Sequence, residues 1–172
     1  METHILIGNF IALISAIVMI CNGFVKNKKK ILYIQIIQML LAGLCDFILG
    51  SVSGLISNLI GCVRNVLCYK DKFGLVSKII VSIFAAGFIL YFNNLGWIGL
   101  LPLFSMLIYI TFMNTEDIIK FKILIIASIL PWIIHDFYIK SYVYTVFDIG
   151  SVITNLISIY QIKKLDKSRG VK

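Results

Sequence analysis

Long apolar runs interrupted by short polar stretches set the pattern of this chain. Seven runs can be marked, at about 5–22, 31–49, 51–69, 75–92, 95–113, 118–139 and 142–162. Each is near the ~20 residues that carry a helix across the hydrocarbon core of a bilayer. Most are apolar all round, which suits helices bathed in lipid rather than helices with one wet face. The pattern predicts an all-α integral membrane protein with seven transmembrane helices. The connections near 23–30, 70–74 and 113–119 are too short to hold a soluble domain.

Charge adds an orientation. With the N-terminus outside, the inner connections hold Lys26, Lys28, Lys29 and Lys30, then Arg64, Lys70, Lys72 and Lys78, then Lys120 and Lys122. The tail adds Lys163, Lys164, Lys167, Arg169 and Lys172, and only Lys140 falls outside. Basic residues next to spans resist translocation, so this bias predicts an N-out, C-in topology. A first run with Glu2 before it and no basic region is expected to be a span rather than a cleaved signal.

Composition narrows the partners. The chain is 60% hydrophobic and 14% charged, with mean hydropathy +0.99, against about a quarter charged residues in soluble domains. A net charge of +8 on such a chain reads as orientation and contact with anionic headgroups, so the expected partner is the lipid bilayer and not nucleic acid. Cys21, Cys45, Cys62 and Cys68 form no CxxC pair, so no disulfide, metal or cofactor is expected.

The chain also resembles itself at a spacing of about 90–97 residues. Leu44-Cys45-Asp46-Phe47-Ile48 matches Ile134-His135-Asp136-Phe137-Tyr138, Lys30-Ile31-Leu32 matches Lys122-Ile123-Leu124, and Ile56-Ser57-Asn58-Leu59-Ile60 matches Ile153-Thr154-Asn155-Leu156-Ile157. The order is the same in both halves. Three spans are an odd number, so a second copy needs one extra span to insert the same way up. The reading is a parallel 3+1+3 arrangement: a first triple-helix bundle over 1–70, a linker helix over 71–94, and a second bundle with a short basic cytoplasmic tail over 95–172.

Polar residues inside spans are costly unless partnered, so they mark helix contacts or a pathway. Asn58 and Asn155 fall near mid-span, where two carboxamides facing each other would suit a neutral polar solute. Interhelical hydrogen bonds locking the halves explain them equally well. Ser57 and Thr154 stand beside them, on small-residue faces that permit close helix approach. Gln35, Gln38, Ala42 and Asp46 make one face of the second span polar, and Ser128, Pro131 and His135 do so in the sixth, with Asp136 alongside. Asp46, Asp136, His135, Gln35 and Gln38 read as gate or structural groups, and Asp148 as a helix cap. Arg64 reads as snorkelling to the inner headgroups. Pro102 and Pro131 read as kinks in their spans, and Trp132 as a ring that faces lipid, packs in the core or stacks on a solute.

The run Trp132-Ile133-Ile134-His135-Asp136-Phe137-Tyr138 resembles the W-x-I-H-N/D-F-W/Y signature of the YgjV family of bacterial inner-membrane proteins. Leu100-Leu101-Pro102 and the segment from Leu49-Gly50 through Arg64 are also similar to that family. The resemblance implies kinship with the MtN3-like assembly of SWEET, SemiSWEET, PQ-loop and PnuC transporters, and with it two triple-helix bundles, a linker helix and an N-out, C-in topology. Asn58 and Asn155 are similar in placement to the asparagines that line the sugar site of SWEET-type relatives. The chain departs from them in lacking any Pro in its first bundle and the Pro-Gln dipeptide.

The expected function is that of a small facilitator for a neutral polar solute, working by alternating access in the bacterial cytoplasmic (inner) membrane. The alternative is a non-transporting receptor or scaffold of the same fold. No enzyme is expected, because one His beside one Asp supplies no nucleophile and base. A chain with both repeats fused can act as a monomer, and a homodimer is not required.

Overall fold

Polar side chains placed at the breaks between apolar runs start the helices. Asn27 Oδ1 accepts the Lys30 N–H at 3.1 Å, Ser51 Oγ accepts the Gly54 N–H at 3.1 Å, and Asp117 Oδ1 accepts the Ile119 and Lys120 N–H groups at 2.8 and 3.2 Å. Each satisfies donors that the first turn of a helix leaves free. The computed structural model describes residues 3–168, with side chains to residue 165. Glu2, Arg169, Lys172 and the Lys167 side chain lie outside the described residues.

Seven α-helices and no strand occur among the described residues: α1 (Thr3–Gly23), α2 (Lys28–Ile48), α3 (Val52–Tyr69), α4 (Leu75–Phe92), α5 (Leu101–Phe112), α6 (Ile118–Tyr138) and α7 (Tyr142–Ser168). Six are long and apolar enough to cross a membrane. The exception corrects the expected span at 95–113. There a 3-10 turn, Ile98–Leu100, leads into α5, and the apolar helix covers Ile98–Phe112 alone. Asn93 holds the preceding residues out of the helix: its Nδ2 donates to Gly96 O at 2.6 Å and its Oδ1 accepts the Leu95 N–H at 3.0 Å, while Gly96 takes φ +57°. Pro102 sits in the first turn of α5, where its missing N–H costs nothing, so it starts the helix rather than kinking it. Pro131 is inside α6.

Packing is inverted relative to a soluble protein. Phe10, Ile83, Phe84, Phe104 and Phe137 are exposed, and the polar groups are inside. α4 buries only the line Val81, Ala85 and Ile89, a one-sided strip against α3 and α5. The other helices close a ring: α1 packs on α2, α2 on α3, α3 on α5, α5 on α6, α6 on α7, and α7 on α1.

The repeat is written in hydrogen bonds. Ser51 N–H donates to Asp46 O at 2.8 Å, and Ser141 N–H to Asp136 O at 2.8 Å. Ser15 Oγ donates to Gln38 O at 3.0 Å, and Ser105 Oγ to Ser128 O at 2.5 Å. Gly50 and Lys140, at φ +83° and +63°, close α2 and α6 in the same left-handed way. All these pairs stand 90 positions apart, as do the caps Asn27 and Asp117. This register corrects the equivalence of Asn58 with Asn155, which spans 97. At 90, Asn58 aligns with Asp148 and Asn65 with Asn155. The error is seven residues, about two turns, which preserves the helix face but moves the depth by roughly 10 Å. The Ile-rich run that suggested it looks alike at both depths.

The serine pair gives a direct test of the repeat. Ser15→Ala and Ser105→Ala should each lower stability by about 0.6 kcal/mol, up to ~1.7, the range of interhelical hydrogen bonds in membranes. The double mutant should show nearly additive loss in reversible unfolding from mixed micelles. Loss at one serine only would mean the two bonds are not equivalent.

Candidate functional site

The ring of six helices encloses a cavity of about 100 Å³, several times the ~10–15 Å³ that holds one water. Its walls repeat at the 90-residue register. Gln35 and Ile125, Gln38 and Ser128, Met39 and Ile129, Ala42 and Trp132, Asp46 and Asp136, Asn58 and Asp148, and Gly61 and Ser151 line it as pairs from the two halves. The polar groups fall into three sets.

The first lies near the α2–α3 and α6–α7 turns. Asn58 Nδ2 donates to Asp46 Oδ2 at 2.8 Å and to Gly54 O at 3.2 Å. His135 Nδ1 stands 2.9 Å from Asp136 Oδ1 and its Nε2 2.9 Å from Ser51 Oγ. His135 thus bridges Ser51 and Asp136, one ring nitrogen to each. The Ser51–His135–Asp136 chain has the order of a hydrolase triad, yet Ser51 and His135 are fully buried and do not line the cavity. The chain therefore ties the start of α3 to α6. The edge of Trp132 rests on His135, with ring centres 5.2 Å apart. Donor atoms of Asp46, His135 and Asp136 lie within 4.8 Å of one another. A metal there would first have to displace a bond to His135.

The second set surrounds Arg64, and corrects its expected snorkelling. Arg64 is 3% exposed, with its guanidinium 4.1 Å from the centre of the Tyr109 ring and its Nε and Nη2 on Asn65 Oδ1 at 3.1 and 3.0 Å. A cation–π contact and two hydrogen bonds replace the water it gives up. Gln35 Oε1 joins the network, accepting from Tyr109 Oη at 2.9 Å and Asn65 Nδ2 at 3.2 Å.

The third set was missed. Lys122, read as a residue of an inner connection, is 0% exposed. Its Nζ donates to Gly23 O at 2.7 Å, at the C-terminus of α1, and to Asn155 Oδ1 at 3.3 Å. The signal was available: Lys122 precedes Ile125, Ile129 and Asp136 by three, seven and fourteen residues, so it shares their inward helix face.

The two asparagines do not bond to each other. Asn58 serves Asp46, and Asn155 donates to Ser151 O at 2.8 Å while accepting from Lys122. Ser57 lines the cavity and bonds Pro102 O at 3.3 Å, joining α3 to α5. Thr154 bonds Ser151 O at 3.1 Å and packs on Gly23. Gln38 lines the cavity, its amide 3.6 Å from Met19 Sδ. Asp148 does not cap α7, which begins at Tyr142. It lies almost two turns in, 4% exposed, and its buried Oδ2 has no hydrogen-bond partner.

Apolar helices long enough to span a bilayer, wrapped around a buried polar cavity, define a multi-pass membrane protein whose chemistry is internal. The chain belongs to the Imp-YgjV family of bacterial inner membrane proteins, whose model matches residues 6–166. It is therefore a protein of the bacterial inner membrane. Neither the curated proteins nor the solved structures contain a match.

Proposed function

We propose that this protein is a small facilitator, moving a small polar solute between two parallel triple-helix bundles by alternating access. The bundles are α1–α3 and α5–α7, joined by α4 as linker in a 3+1+3 arrangement, N-out and C-in, like the SWEET-type transporters. The observation that carries this reading is the cavity between the halves, walled by residue pairs at one register. A scaffold needs no such space. Asn58, Asn155, Ser57, Trp132, Gln35 and Gln38 would meet the solute, Thr154 would back the α1–α7 seam, and Asp46, Asp136 and His135 would form the outer closure. We propose no enzymatic role, because Ser51 and His135 are buried away from the cavity. A monomer suffices, since one chain closes the ring.

One observation favours the non-transporting alternative. The Asn58 amide is fully engaged by Asp46 and Gly54, as packing would require. The test is uptake into proteoliposomes of sugars, nucleosides, vitamins and amino acids, with Asn155→Ala in parallel. Saturable uptake of one class, lost at least tenfold in the variant while its melting temperature stays within a few degrees, supports the facilitator. An earlier-melting variant together with no uptake of any solute by the wild type would overturn it.

A further inference from the structure

Three carboxyl groups from three helices line the cavity, and those of Asp46 and Asp136 lie within 4.8 Å of each other. Asp46 on α2, Asp136 on α6 and Asp148 on α7 are 2%, 4% and 4% exposed, and all line it. Their hydrogen bonding is unequal. Asp46 receives the Asn58 amide and Asp136 receives His135. Asp148 holds the position that Asn58 holds in the first half, so an acceptor stands where its counterpart is a donor. Its Oδ2 is buried and unpartnered.

No side-chain cation of the cavity answers this carboxyl. Arg64 is held by Asn65 and Tyr109, and Lys122 by Gly23 and Asn155. Both ring nitrogens of His135 are occupied. Buried carboxyl groups so placed are satisfied by taking up a proton or by a positive partner. A cationic molecule in the cavity would supply the donor that Asp148 Oδ2 lacks.

We infer that the carboxyl-lined part of the cavity binds the ammonium group of a small organic amine. An ammonium brings one positive charge and up to three N–H donors, and three carboxyl groups line the cavity. Trp132 and Tyr144 line the same cavity, and aromatic faces attract organic cations. Met19, Met106 and Ile129 supply apolar wall for the carbon part. A bare metal ion would leave these surfaces unused. The inference rests on the transport reading for the route of the amine, and replaces the expected neutral solute with a cationic one.

The test uses the full chain in detergent at fixed ionic strength, with ethanolamine and methylammonium as probes. Ethylene glycol serves as the neutral analogue, and potassium and magnesium chloride as metal controls. Both amines should raise the melting temperature saturably, and ethylene glycol should not. Asp148→Asn, which restores the amide of the first half, should fold and weaken amine binding about tenfold or more, as loss of a charge-assisted hydrogen bond implies. Asp46→Asn is the second variant and should do the same. An equal shift with ethylene glycol, displacement of the amines by magnesium, or an unchanged Asp148→Asn response would each overturn the inference. Proteoliposome flux separates it from the reading beneath it. Amine binding without flux keeps the site and ends the transport reading. Flux of a neutral solute with no amine response does the reverse.

Discussion

Lys122→Met lowers the stability of the protein by about 1–3 kcal/mol, while Lys120→Met, two residues away and exposed, stays within about 0.5 kcal/mol. The magnitude follows from what Lys122 holds. Gly23 ends α1, and its carbonyl sits at the negative pole of the helix. Lys122 donates to that carbonyl at 2.7 Å from a site with no exposure to solvent. Methionine fills nearly the same length but offers no donor, so the carbonyl is left buried and unpaired. Interhelical bonds in membranes run weaker than this, about 0.6 kcal/mol on average, and the substitution also removes the cost of keeping an ammonium out of water. The upper end of the range therefore requires the charge to matter. Reversible unfolding of both variants in mixed micelles measures the difference, and equal losses would show that the contact to Gly23 carries no energy. The same change should loosen the ring at its α1–α7 seam, because Asn155 loses the donor that fixes its carbonyl oxygen.

The helices were legible because lipid leaves the sequence little choice: a span must be apolar over its whole length. The limits of reading appear at particular residues. Span five looked as long as the rest, since Leu95 and Trp97 are apolar, but Asn93 folds back on Gly96 and removes them from the helix. The halves were read as repeats, yet Asn58 was matched two turns out of place, because helical periodicity repeats a face every seven residues and cannot report depth. Arg64 was sent to the headgroups on the rule that long cations seek water, and Lys122 was counted with an inner connection on the positive-inside rule. What held them inside, the Tyr109 ring and the Gly23 carbonyl, belongs to other helices and has no local signature. Asp46 and Asp136 were singled out by their repetition, and His135 by its place on the polar face of the sixth span. Asp148 was set aside as a cap because it stands near the start of a helix, and only the register of the α6–α7 turn shows its true depth.

Gly54→Ala destabilises the protein by about 1–3 kcal/mol, whereas Gly87→Ala stabilises it by up to ~1 kcal/mol, the gain expected for alanine over glycine within a helix. The two glycines test opposite surroundings. A Cβ at Gly87, on the lipid side of α4, meets nothing within 4 Å. A Cβ at Gly54 comes within 2.6 Å of Asp46 Oδ2, 2.7 Å of its Cγ and 2.8 Å of Ser51 Oγ. Neither neighbour is free to yield. Asp46 is a short side chain fixed by Asn58, and Ser51 is both the cap of α3 and the hydrogen-bond partner of His135. Pushing them apart strains the tie between the halves as well as the carboxyl-lined part of the cavity, so the amine-dependent rise in melting temperature should shrink along with the baseline. At the same register the second half carries Tyr144, which is buried and lines the cavity. The absence of a side chain at residue 54 thus leaves room for the Asp46 carboxylate to approach α3 closely. If unfolding in micelles shows Gly54→Ala as stable as Gly87→Ala, then Asp46 is mobile and the close approach is no requirement of the fold.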